Sequence, residues 1–193
     1  RHGDELAQAT AVARCEYRDG QLQATAIGNA MSVPIQRGLL EPSLAAAGGR
    51  YLLTMRNDQA AYVAASDDGL LFDEPRPWQF DDGERLGSYI TQQHWVIDND
   101  RAWLVYTRRG LNDAPVVRHR APLVIAEVDL QRLVVLRRTE TILIPERGAR
   151  LGNFGVNVVD DHETWVTVDE WMQPAGCERY GSNNSLYIAM LRF

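Results

Sequence analysis

Lysine is absent from this chain. All 20 basic residues are arginine, set against 26 aspartates and glutamates, which leaves a formal net charge of −6 over 193 residues. Nucleic acids and anionic membrane surfaces are held by basic surfaces, so neither partner is expected. An arginine-only basic set fits a GC-rich genome and hints at a bacterial source. Cysteine is scarce as well. Cys15 and Cys177 lie far apart with no zinc or redox spacing, and read as two thiols because a domain of this size needs no covalent staple; pairing in an oxidising compartment is the alternative. The four histidines show no metal-ligand spacing, and no metal or cofactor is expected. No stretch approaches about 18 uninterrupted apolar residues, which excludes a helical membrane span. No leader is visible, and a start at Arg1 fits processing or a fragment; the compartment stays open, with a secreted or periplasmic bacterial location favoured.

What is present is a succession of short apolar strands punctuated by turns. "VARCEYRDGQLQATAI" carries an Asp19-Gly20 turn and "WVIDNDRAWLVYT" an Asn99-Asp100 turn. No long window holds a 3.6-residue period. The chain reads as all-β, in one domain with a substantial core. A weak internal repeat organises it: "YLLTMR" from Tyr51, "WLVYTR" from Trp103 and "WVTVDE" from Trp165 each follow a tight turn and an apolar strand. A third strand follows each, as "YVAAS", "LVIAE" and "LYIAM". The spacings of 52 and 62 residues between those leading aromatics lie near the length of a four-stranded propeller blade, an arrangement that leaves only short, protected sheet edges.

The expected units are residues 11–27, the end of a preceding blade; 41–80; 92–144; and 153–193, an incomplete last blade. That is a partial β-propeller of four-stranded antiparallel blades, about three and a half of them, fewer than the roughly 4 to 8 of a closed ring. Missing N-terminal blades or a second chain would complete it. A β-sandwich of about a dozen strands is the alternative.

The stretch "EPSLAAAGGRYLLTMRN", residues 41–57, reads as a hairpin with Gly48 and Gly49 as its two-residue turn. If Ala47 faces Arg50, Glu41 falls opposite Arg56, with Cβ atoms about 5 Å apart. The same counting places Gln92 and His94 at the corresponding rim of the second unit. In the third, an Asp161-His162 turn sets Phe154 opposite Asp169 and Asn153 opposite Glu170. Polar and ionisable groups converging at one rim of neighbouring units are what a binding site requires.

Glu-Pro, an apolar strand, a Gly turn, "LLTMRN", a further strand and "SDDGLLF" together resemble the fourth-blade region of the exo-sialidase superfamily of six-bladed propellers. "AASDDGLLFDEP" is similar to the Asp-box turn of those blades, with Asp67, Gly69 and Phe72 at matching positions and Ala65 where serine is usual. The resemblance implies that Glu41 polarises a nucleophile and that Arg56 is the second of three arginines gripping a substrate carboxylate. Planar guanidinium groups do this bidentately. The third arginine is expected in "VVRHRAPLVIAEV" as Arg118, with Arg120 the fallback, and His119 on the opposite strand face as scaffold.

Departures from the pattern alter the chemistry. Phe154 stands where the family places its tyrosine nucleophile, and phenylalanine has no hydroxyl to attack with. Tyr106 and Tyr180 are the nearest spares, in no matching motif. The family's first arginine and acid/base aspartate come from blades this chain does not contain. His94 or Glu170 would then supply proton transfer, with Gln92, Asn153 and the arginines binding substrate. In "PERGARLGN", Glu146, Arg147 and Arg150 are either binding groups or a solvated cluster, and Trp171 either stacks on a sugar or closes the core. The reading leans to a sialidase-like glycoside hydrolase acting on a polar or anionic glycan. The alternatives are a non-catalytic glycan- or protein-binding propeller and a polysaccharide lyase in which His94 abstracts a proton from a uronate.

Overall fold

The computed structural model describes residues 7–88, 90–111, 120–173 and 175–193. Four antiparallel sheets account for the strands. β1 (Ala13–Arg18) and β2 (Gln21–Ile27) form a hairpin. β3 (Leu40–Ala47), β4 (Arg50–Arg56), β5 (Ala61–Ser66) and the short β6 (Arg76–Pro77) form a four-stranded meander. β7 (His94–Asp98), β8 (Arg101–Tyr106) and β9 (Leu123–Asp129) form the next, where β10 (Val134–Val135) and β11 (Thr141–Ile144) both pair with β9. β12 (Phe154–Asp160), β13 (Glu163–Asp169) and β14 (Leu186–Arg192) form the last. The described residues hold no α-helix, only 3-10 turns at Arg137–Thr139 and Cys177–Tyr180.

Burial explains why the strands read as they do. Successive side chains of a strand point to opposite faces. In β4, Leu52 joins one apolar cluster while Leu53 and Met55 join another; in β5, Val63 and Ala65 part from Tyr62 and Ala64 in the same way. In β9, Val124, Ala126 and Val128 face the β3–β6 sheet, and Leu123 and Ile125 face the β12–β14 sheet. β4, β5 and β9 are thus covered on both faces and appear in the sequence as nearly continuous apolar runs. Trp78, Tyr106 and Phe80 are fully buried, each stabilising by about 1.5–3 kcal/mol through the area removed from water. β14 alternates exposed and half-buried residues because only one of its faces is covered. The first strands of the three sheets adjoin, β3 beside β7 and β7 beside β12, so the sheets fan as blades around a shared line.

The expected turns are present: Asp19, Gly20, Gly48, Gly49 and Asn99 all have positive φ, as hairpin turns whose twist matches the flanking strands demand. Two registers differ from simple counting. β3 and β4 pair as Ala47↔Arg50 through Ser43↔Thr54, but then Leu40, not Glu41, stands opposite Arg56. Glu41 and Pro42 together face one residue of β4, a β-bulge. Pro42 has no N–H to give to the ladder, and Glu41 takes φ +43°. In the third sheet a bulge between Val158 and Asp160 moves Phe154 opposite Val168 instead of Asp169, so Asn153 and Glu170 lie outside the ladder. The second sheet keeps the counted register, His94↔Val105 to Asp98↔Arg101, though β7 begins at His94 and Gln92 precedes it.

The turn after β5 is tied by Asp68. Its Oδ1 accepts the N–H groups of Leu70 and Leu71, both at 2.8 Å, and Ser66 Oγ accepts those of Asp68 and Gly69. Asp67, the acid matched to the Asp-box, is exposed and among the described residues reaches only Arg50. Phe72 is buried beside Leu53 and Met55.

Candidate functional site

The starts of β3, β7 and β12 form one rim of the fan, and three groups meet there. At the head of β3 the bulge turns Glu41 toward Arg56 at the end of β4, and Arg56 Nη1 donates to Glu41 Oε1 at 2.5 Å. Arg56 Nη2 donates to Asp58 Oδ1 at 3.2 Å, and Arg37 Nη1 donates to both Asp58 oxygens at 3.0 and 3.2 Å. The result is a chain of four alternating charges. The Arg56 side chain is 9% exposed and that of Glu41 45%, so the guanidinium is a buried anchor and the carboxylate faces out. Burial on its own would raise the Asp58 carboxyl; hydrogen bonds and charge from Arg37, then Arg56, outweigh it and hold the group below the usual carboxylate range. Oε2 of Glu41 has no hydrogen-bond partner among the described residues.

His94, the first residue of β7, joins the three inner strands. Its Nδ1 lies 3.1 Å from Ser43 Oγ on β3, and its ring meets the Phe154 ring on β12 edge-on, centroids 5.2 Å apart. Trp95 Nε1 donates to the Ser43 carbonyl at 3.0 Å, which fixes β3 against β7. Burial pushes the His94 imidazole below its ordinary value, partly opposed by the negative charge of Glu41. His94 and Glu41 therefore share one electrostatic neighbourhood.

The remaining expected site residues divide. Gln92 donates its side-chain N–H to the Phe154 carbonyl at 2.5 Å and so holds β12 to the second sheet. Arg120 is buried, its side chain packed over Gly152, where a Cβ would come within 2.4 Å of Arg120 Cδ. Asn153 is exposed between Gly152 and β12. Glu170 is 1% exposed: its carboxylate accepts the N–H groups of Asn183 at 2.9 Å and Ser185 at 3.0 Å and the Tyr187 hydroxyl, beside Arg147. That carboxylate organises the 183–185 segment rather than facing an open site. Tyr106 is buried with its hydroxyl donating to Glu140, itself clamped by Arg108; burial first, then Glu140, pushes the phenol far up. Arg118 and His119 lie outside the described residues. Sequence reasoning missed Arg37, Ser43 and Asp58. The Arg37–Asp58 contact joins residues 21 apart through tertiary packing, and Ser43 was one polar residue in an apolar strand with nothing local to mark it.

No family model matches the chain, and no curated protein matches it in sequence. Solved structures match its shape. A protein of unknown function from Dyadobacter fermentans superposes with a TM-score of 0.59 at 14% identity, over 96% of this chain and 50% of that one. The family-32 β-fructofuranosidase of Bombyx mori gives 0.56 at 12% identity, over 90% and 40%. The likeness is one of fold, a β-propeller of antiparallel blades. A family-43 protein from a Bacteroides ovatus xyloglucan locus gives 0.47 at 8% identity, over 69% and 24%. The chain thus spans half or less of the length of these structures. Likeness at such identities fixes architecture alone, and it does not single out the sialidase branch implied by the sequence motifs.

Proposed function

We propose that the rim around Glu41 and His94 is a glycan site of glycoside-hydrolase type. The observation that carries this is the backbone of Glu41: a non-glycine residue with φ +43°, held on a bulge with its carboxylate half-exposed while a buried arginine grips one oxygen. Left-handed backbone at such a residue costs about 1–3 kcal/mol and persists only where the surroundings impose it, which is common at functional sites. Glu41 is the base that takes a proton from water as its oxygen bonds to the anomeric carbon. His94, in its protonated form, gives a proton to the leaving glycosidic oxygen as the carbon–oxygen bond breaks. Because burial holds the imidazole below its usual range, that acid form gains population as the pH falls, and turnover is expected to rise on the acid side.

The charge pattern favours a neutral, hydroxyl-rich sugar over a sialoside. Both terminal nitrogens of Arg56 already serve protein carboxylates. A substrate carboxylate would have to displace Glu41 or Asp58. With Phe154 buried against His94, the tyrosine-dependent route of sialidases has no nucleophile at its matching position. That same phenylalanine favours a second reading, a rim that binds glycan without cleaving it.

The test is a panel of chromogenic neutral glycosides and sialosides with the wild-type chain and Glu41→Gln. Turnover of a neutral glycoside that falls about 100-fold or more in the variant, with ligand binding kept, supports the hydrolase. Binding without turnover moves the assignment to the second reading. Sialoside cleavage unaffected by the substitution overturns the proposal.

A further inference from the structure

Trp171 stands two residues beyond the end of β13, at the same end of the third sheet as the start of β12, because the two strands are antiparallel. Four of the five tryptophans are buried or half-buried, and Trp171, at 38% exposed, is the outlier. An isolated antiparallel bridge fastens its backbone to Arg150 through two N–H···O bonds of 3.1 Å. The buried Arg150 side chain returns to place its guanidinium carbon 5.2 Å from the indole centroid. Glu170, immediately before Trp171, receives the N–H groups of Asn183 and Ser185 and donates its own to the Ser185 carbonyl at 2.9 Å.

We propose that Trp171 is a stacking platform for a pyranose unit, at a subsite flanking the Glu41–His94 rim. This rests on the glycan reading of that rim and deepens it. A sugar ring has one face of C–H groups that loses little by leaving water, and a flat indole is the side chain that covers such a face with most area and fewest rotors. Arg150 supports the indole by a cation–π contact, and the bridge and the Glu170 anchor fix its backbone, so little ordering is left to be lost on binding. Arg147, which donates to the Tyr187 hydroxyl and the Gly181 carbonyl, holds the adjoining loop in place. The ligand class is a neutral oligosaccharide of at least two units, one at the rim and one over Trp171.

Calorimetric titration with neutral oligosaccharides and with the corresponding monosaccharides tests this, on wild type, Trp171→Ala, Trp171→Phe and Glu41→Gln. The expected result is oligosaccharide binding weakened about ten-fold or more in Trp171→Ala, partly kept in Trp171→Phe, and monosaccharide binding unchanged. Bound oligosaccharide should also shield wild-type tryptophan fluorescence from acrylamide, a readout independent of whether Trp171→Ala folds. Equal oligosaccharide affinity in wild type and Trp171→Ala, or unshielded fluorescence at saturation, overturns the platform and leaves the rim standing. Absence of any binding to the wild-type chain overturns both.

Discussion

Arg56 and Glu41 show how one contact can be a scaffold on one side and a working group on the other. Replacing Arg56 by leucine leaves Asp58 with Arg37 alone and Glu41 with no anchor. The expected cost is about 2 kcal/mol, read as a lowered urea midpoint, because a largely buried charged donor is lost from two acceptors. Glu41→Gln changes a half-exposed group and is expected to cost under about 1 kcal/mol. His94 adds a pH dependence whose sign follows from burial. Its folded value lies below the ordinary 6.5, so in the folded state the ring resists the proton that the unfolded chain accepts. Stability from this residue is complete above about pH 6.5 and declines as pH falls through the folded value. Urea unfolding of wild type and His94→Asn between neutral and acidic pH checks it: the variant should lose less stability on acidification. Strand counting set Glu41 opposite Arg56, whereas Leu40 takes that place and the Glu41 side chain reaches Arg56 from the bulge; Asp58 and Arg37 were not legible, because their partnership spans a fold and not a turn.

At the scale of elements, turns were readable and bulges were not. A two-residue turn is specified by the residues that tolerate positive φ, and Gly48-Gly49 and Asp19-Gly20 carry that specification locally. The bulges at Glu41-Pro42 and near Val159 are answers to packing against neighbouring strands, and counting outward from the turn slips by one beyond them. The turn after β5 makes the point testable. Ser66→Ala removes an acceptor for two N–H groups at a buried site and is expected to cost about 1 kcal/mol. Asp68→Ala should also lower the Tm, and Asp67→Ala should leave it unchanged, since the turn's hydrogen bonds run to Asp68. Equal effects of the two aspartates in thermal melts would return the turn to the Asp-box pattern.

Over the whole molecule, the β3–β6 sheet, the β7–β11 sheet and the β12–β14 sheet bury their facing sides in turn, but β14 shows water a row of Leu186, Ile188 and Met190. Apolar rows of this kind promote association. Replacing all three by serine is expected to shift sedimentation velocity profiles toward the monomer, with wild type more strongly self-associating at equal concentration. The sequence by itself determined the strands, their turns, the all-β class and the net negative charge, because each follows from local backbone preference, side-chain alternation or composition. Only tertiary structure decided which polar side chains are spent on the scaffold and which face outward: Glu170 is consumed by the 183–185 backbone, Arg56 by two carboxylates, while Glu41 and Trp171 are left open. Hydrogen-bond partners and burial are set by segments distant in the chain, and residue type carries no record of them.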